Sequence, residues 1–436
     1  MKTRVRTLAL ATAFCAGSAV HAAETMPFTP IAGSAYQGVA TDLSTAAWIL
    51  PEGYVQRVVS DESDLDLYVG SDFYDMNTVN ETGVHAGRYL YRTHEVRPGP
   101  PGRDGNSARR DGGSGGAVSV VDLKTGRARE LVGRSHWEAI DGIVWTPWKT
   151  LLVNEEVQTS QRPDPDVPAA RSGLVYEIVL DPADPARVRQ VIVRPLLGAL
   201  AHEGIEIGED GSVYLVDEHR AGAIYRFVPT RYGDLSQGQL HALKVGQGKK
   251  TGSAEWVALD MRQVQISARE AATAVGATPY CRPEDLERIG NVLYAALTCE
   301  DVDDPANTRG PGAVLAIELG TAPVARFAVA GGKNVPVENA KAGITGFKHP
   351  DNLAAAPDGT LWIVEDNSPS DIWVYEPNSP DMDGDGYQDS VRLFASLGDL
   401  EGEASGIYFS DSETLFVNIQ HSGTGRDRTM TVRREQ

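Results

Sequence analysis

Short runs in which apolar and polar residues alternate, or which are apolar throughout, recur along almost the whole 436-residue chain. Turn signals such as EDG, PDG and DSE bound them. A period of two is the signature of β-strands. VSVVDL (118–123), LVYEIVL (174–180), AIYRFV (223–228), AVLAIEL (313–319) and DIWVYE (371–376) are clear examples. Helical periodicity is nearly absent, and the best helical stretch is the short Arg269–Val275. The runs also come in pairs whose outer ends are acidic or amide-rich. The clearest pairs are HEGIEIGEDGSVYLVDEH from His202 and HPDNLAAAPDGTLWIVEDN from His349. RPEDLERIGNVLYAALTCED from Arg282, GEASGIYFSDSETLFVNIQH from Gly402 and, less regularly, HWEAIDGIVWTPWKTLLVNEE from His136 repeat the plan. GRYLYRTHE (Gly87 to Glu95) supplies another closing half without a clear opening half.

An antiparallel hairpin returns its second strand to where the first began, so both acidic ends lie on one rim. Each closing cluster is followed by a further strand, which predicts repeated four-stranded sheets. The expected fold is therefore all-β, a β-propeller of six blades forming a single domain over 23–436. A β-sandwich is the alternative, but it accounts poorly for the repeat.

Composition sharpens this picture. The formal net charge is −20, and the first 22 residues carry three cations and no acid. Lys2, Arg4 and Arg6, the apolar run Leu8–Val20 and the small residues Ala22 and Ala23 read as a secretory signal peptide over 1–22. The apolar run is too short to span a bilayer comfortably. A secreted or periplasmic protein with no membrane span in the mature chain is expected. Cys15 raises the alternative of a retained anchor, but Phe14 before it suits lipoprotein processing poorly. So acidic a chain argues against a general binder of nucleic acid or anionic membranes, which needs a basic face. Cys281 and Cys299 flank one hairpin and share its rim, so they can pair in an oxidising compartment.

The rim carries the candidate chemistry. Carboxylates gathered at one mouth repel one another unless cations sit among them. Glu95, Glu155, Glu156, Glu203, Asp217, Glu284, Asp351, Asn352 and Glu403 are the candidate cation ligands, with Glu218, Glu365 and Asp366 beside them. Taken singly, each is more simply a solvated turn residue; their shared place in the repeat argues otherwise. His94, His202 and His421 recur alongside. Arg282, next to Glu284, suits either bidentate grip of a phosphate or carboxylate or a salt bridge that orients Glu284. Arg97–Gly116 is rich in Gly, Pro and Arg and reads as a solvated loop whose cations can meet a phosphate. Separately, Asp381, Asp383, Asp385 and Asp389 in DMDGDGYQD match calcium loops with ligands at alternate positions and Gly386 at the turn. Arg392 stands where an EF-hand places its bidentate Glu, so the loop over 381–389 is not a full EF-hand.

In combination the segments THE (93–95), NEE (154–156), HEG (202–204), DE…YRF (217–227), RPED (282–285), PDNLAAAPDGTLWIVED (350–366) and GEASGIYF…LFVNIQH (402–421) resemble the PhoX-type alkaline phosphatase family. The resemblance runs through most of the mature chain. It implies a six-bladed propeller whose mouth holds several Ca²⁺ ions and a pair of ferric ions, and which hydrolyses phosphate esters. By the same resemblance Glu203 and Glu284 are metal ligands with a catalytic role and Arg282 grips the phosphate. Glu155, Glu156, Asp351, Asn352 and Glu403 complete the cluster. The chain departs from the family at Asn154, where a cysteine usually ligates iron. An amide oxygen suits Ca²⁺ or Mg²⁺ and a thiolate suits iron, so Fe³⁺ is in doubt. Two other functions remain: a calcium-dependent lactonase or phosphotriesterase-like hydrolase, and a non-catalytic metal-binding propeller. Arg282 favours a small phosphate ester as substrate, because a neutral lactone has no evident use for it.

Overall fold

The computed structural model describes residues 26–31, 42–98, 106–113, 115–157, 162–332, 346–377, 379 and 391–435. The leader expected at 1–22 and the calcium-type loop expected at 381–389 lie outside these residues. Nearly every described element is a strand, and most pairings are antiparallel between strands close in sequence, the pair Arg97–Pro98 and Asn106–Arg109 being parallel. Each hairpin expected from the acidic repeat is present. Ile140–Trp145 pairs Thr150–Glu155, Ile205–Ile207 pairs Val213–Val216, and Pro283–Ile289 pairs Val292–Leu297. Pro350–Ala355 pairs Leu361–Glu365, and Glu403–Phe409 pairs Thr414–Gln420.

The missing opening half is Tyr74–Val79, which pairs Tyr89–His94. All of its positions are buried, so it shows no alternation, and no tight-turn signal joins it to its partner.

Third and fourth strands extend the hairpins outward as meanders. The meander ending in Asp234–Val245 is joined through Gly252–Ala258 to the one ending in Val324–Ala330, so two meanders share a nine-stranded sheet. The last meander takes its outer strand from early in the chain: Tyr54–Asp61 pairs Arg428–Arg434. The opening strands contact one another in sequence order, and Glu403–Phe409 returns to Tyr74–Val79, which closes a ring.

The apolar core lies between neighbouring sheets. Trp362, Phe394, Val417 and Met430 form one such layer, and Tyr91, Trp145 and Tyr176 another. Each large side chain buried this way contributes roughly 1.5–3 kcal/mol. The single α-helix among the described residues, Val264–Ala274, starts before the expected stretch and packs Ala268, Ala271 and Ala272 in the layer that holds Leu197 and Leu240. Cys281 and Cys299 form a disulfide with a Cα–Cα distance of 5.2 Å. No helix among the described residues is long and apolar enough to cross a membrane.

Candidate metal centre

The same local device aims an acid inward in meander after meander. Pairing slips by one residue between Tyr74 and Asn77, Ile140 and Ile143, Pro283 and Leu286, Pro350 and Leu353, and Ser405 and Tyr408. At such a bulge two residues oppose one, the strand bends and a side chain is re-aimed. Asp75, Asp141, Glu284 and Asp351 sit at these slips, and Glu203 stands just before Ile205–Ile207. Two residues ahead of four of these acids the backbone is left-handed: Phe73 at φ 44°, Ala139 at 47°, Arg282 at 44° and His349 at 49°. A side chain there is strained and persists only where its surroundings fix it. Hydrogen bonds do so: Ala139 N to Val96 O, Arg282 N to His219 O at 2.9 Å and His349 N to Pro311 O at 2.7 Å.

Side-chain amides and carboxylates then stitch adjacent opening strands together. Asn154 accepts from Gly142 N at 2.9 Å and donates to Glu203 O at 2.6 Å. Asn352 accepts from Gly406 N at 2.6 Å, and Asp285 from Leu353 N at 2.8 Å. The approach at Gly142 admits no side chain, because a Cβ would lie 2.0 Å from Glu203 O. Asn154→Ala would strand two buried backbone groups, and about 3 kcal/mol of stability should be lost in urea unfolding. A change under 0.5 kcal/mol would show that the stitch is dispensable.

These devices build a cavity of about 270 Å³. Asp75, Asp141, Glu203, Glu284, Asp351 and Glu403 line it from the opening strands, and Glu95, Glu156, Glu218 and Asp366 from the ends of the closing strands. Arg97, Arg282, Ser405 and Gln420 complete the wall. Ten carboxylates thus face two guanidiniums. Among the described residues, three triads bring carboxylate oxygens within 4.8 Å of one another: Asp75–Asp141–Glu203, Glu95–Asp141–Glu156 and Glu203–Glu284–Asp351. Burial, and then the neighbouring carboxylates, hold Asp75, Asp141, Glu156, Glu203, Glu284, Asp351 and Glu403 well above the usual carboxylate range. Such a group cannot ionise together without cations among its members.

The guanidiniums are tightly held. Arg282 Nε lies 2.7 Å from Glu218 Oε1 and 2.9 Å from Glu284 Oε1, and its Nη1 lies 3.4 Å from Asp366 Oδ2. Arg97 reaches Glu95 Oε1 at 2.5 Å and also Glu156 Oε2.

Of the residues expected at the rim, Glu95, Glu156, Glu203, Arg282, Glu284, Asp351 and Glu403 converge here. Glu155 and Asp217 do not. Glu155 accepts the backbone N–H groups of Glu138, Gly173 and Leu174, and Asp217 is forked onto Arg269 at 2.5 and 2.6 Å. Successive strand side chains face opposite ways, so Glu156 and Glu218 enter the cavity while the residue before each turns out. Asn352 serves the stitching and lies behind Asp351. His94 and His202 turn to the carbonyls of Asp72 and Gly198, and His421 stands 3.8 Å from Glu403.

Asp75, Asp141 and Arg97 were not singled out from sequence. Asp141-Gly142 repeats the spacing of Glu203-Gly204, a usable signal. Asp75 sits in the strand that shows no alternation, and Arg97 opens a segment of loop-like composition.

A family model described as alkaline phosphatase PhoX matches residues 142–423. The solved structure of Pseudomonas fluorescens PhoX in complex with vanadate, a transition state analogue, is similar over 94% of this chain and 98% of that one. Its TM-score is 0.66 at 20% identity. A Dyadobacter fermentans protein of unknown function matches 88% of this chain and 100% of its own, with a TM-score of 0.48 and 10% identity. Staphylococcus aureus virginiamycin B lyase matches 87% and 99%, with a TM-score of 0.42 and 11% identity. A search among curated protein sequences found no match. The first of these structures shows a shared β-propeller fold, and the family match covers the greater part of the acidic repeat. The chain belongs to the PhoX alkaline phosphatase family, a family of phosphoric ester hydrolases.

Proposed function

We propose that this chain is a secreted or periplasmic, cation-dependent phosphatase, built as one six-bladed propeller over 23–436 with its active centre in the carboxylate cavity. The observation that carries the reading is Arg282, fixed by Glu218, Glu284 and Asp366 at the edge of the Glu203–Glu284–Asp351 triad. Every side chain lining the cavity is polar or charged, which suits a phosphate ester and offers a lactone ring no apolar surface. The disulfide fits an oxidising compartment outside the cytoplasm.

The donor set suits hard cations. Oxygen atoms from the triads that centre on Glu203 match Ca²⁺, whereas the described residues offer the cavity no thiolate: Cys281 and Cys299 are joined, and Asn154 spends its amide on the backbone. Glu203, Glu284 and Asp351, with Asp75, Asp141 and Glu403, would hold the cations. When bound, these polarise the phosphoryl group and neutralise charge that develops on it. The chain itself supplies orientation. Arg282 presents N–H donors in a planar fork to phosphate oxygens. Its three carboxylate partners keep that fork from swinging, and the left-handed backbone at Arg282 sets its direction. Glu284 is fixed in turn by Thr298 Oγ1, which donates to its Oε1 at 2.6 Å.

Purified protein supplied with Ca²⁺ should hydrolyse p-nitrophenyl phosphate. In Arg282→Ala the inhibition constant for inorganic phosphate should rise about 100-fold, the worth of a lost charge-assisted contact, with calcium content retained. Folded, calcium-loaded wild type that cleaves no phosphate ester would refute the reading. Elemental analysis should find calcium, and no iron in comparable amount.

A further inference from the structure

Glu95 has both of its oxygens engaged. Oε1 takes Nη1 of Arg97 at 2.5 Å, and Oε2 takes Nε2 of Gln420 at 2.9 Å. Nη2 of the same arginine donates to Glu156 Oε2. Arg97 therefore bridges the closing ends of two neighbouring meanders, Tyr89–His94 and Thr150–Glu155. These two carboxylates, with Asp141, form one of the three triads whose spacing suits a metal ion. A Ca²⁺ at this corner would need the same oxygens at about 2.3–2.6 Å, where the guanidinium already stands. The other two triads differ. In neither does one arginine bridge two members among the described residues: Arg282 pairs with Glu284 alone in Glu203–Glu284–Asp351, and no arginine pairs with Asp75, Asp141 or Glu203.

We infer that Arg97 is a built-in cation which takes the place of a divalent metal ion at the Glu95–Asp141–Glu156 corner. The inference rests on the reading of the cavity as a cation centre. It adds that one of the three corners is closed to metal by the chain itself. A guanidinium is never deprotonated in proteins, so its charge is permanent. A single positive charge against three carboxylates also leaves this corner more negative than a calcium ion would. Electrostatic pull on further cations is thus directed to the adjoining Asp75–Asp141–Glu203 triad through the shared Asp141.

Calcium stoichiometry tests this directly, by equilibrium dialysis against Ca²⁺ followed by elemental analysis of the whole protein. Arg97→Ala should gain one equivalent of calcium over wild type, and Arg97→Lys, which keeps a positive charge, should gain none. Glu156→Gln in the wild-type background should leave the stoichiometry unchanged, whereas a metal-occupied corner would lose one equivalent. The difference between variant and wild type is the readout, so calcium bound elsewhere in the chain cancels. Equal stoichiometry in Arg97→Ala and wild type, or a loss in Glu156→Gln, overturns the inference and leaves the phosphatase reading intact. Wild type that binds no calcium at all overturns both.

Discussion

Glu203→Gln should abolish phosphatase turnover, lowering kcat by about 10³-fold or more, as expected when several kcal/mol of metal-borne charge stabilisation are lost. Glu203 is shared by two triads, Asp75–Asp141–Glu203 and Glu203–Glu284–Asp351. Replacing its carboxylate by an amide of the same shape removes a charge from both at once. The fold should survive, because the stitching at this point uses backbone: Asn154 donates to Glu203 O, and Gly204 N donates to Glu284 O at 2.9 Å. The check combines turnover of p-nitrophenyl phosphate, calcium content and urea unfolding. Turnover within tenfold of wild type, at normal stability, would remove Glu203 from the centre.

Chelation should produce the second large effect, an unfolding midpoint lower by roughly 10 °C, on the scale of tight cation linkage in a chain of this size. The loss should deepen as pH rises. In the metal-free protein, burial and mutual repulsion raise the cavity carboxylates above their unfolded values, which lie near 4. Groups shifted upward contribute stability that is fully present below the unfolded pKa and is lost as pH climbs through the folded pKa. The metal-free protein should therefore weaken steadily from about pH 4 upward. Added Ca²⁺ should reverse the trend, because it binds the ionised form and competes with protons. Differential scanning calorimetry with and without chelator decides the matter; parallel pH curves would contradict a cation-loaded cavity.

The meander plan was legible in the sequence because most opening and closing strands carry alternation and acidic ends. Tyr74–Val79 escaped notice because it is buried at every position, and Asp75 escaped with it. The paired acids Glu155-Glu156 and Asp217-Glu218 look equivalent in sequence, yet only the second of each pair faces the cavity. Strand alternation would have separated them, had one member of each pair been anchored to a known face. Arg97 was invisible for another reason: its meaning comes from two carboxylates on different sheets, a contact that local composition cannot report. Arg282, by contrast, stands two residues from Glu284 on the same strand end, so its neighbourhood was written locally.

The pairing of Tyr54–Asp61 with Arg428–Arg434 has a consequence for the order of events in the protein's life. Carboxylates from meanders far apart in sequence meet only when the ring is complete, and this pairing joins a strand near one end of the chain to a strand near the other. A partly synthesised chain holds most of its hairpins but no finished mouth. On the reading of the cavity as a cation centre, the complete mouth, with Glu403 and Gln420 beside Asp75 and Glu95, exists only once the ring has closed.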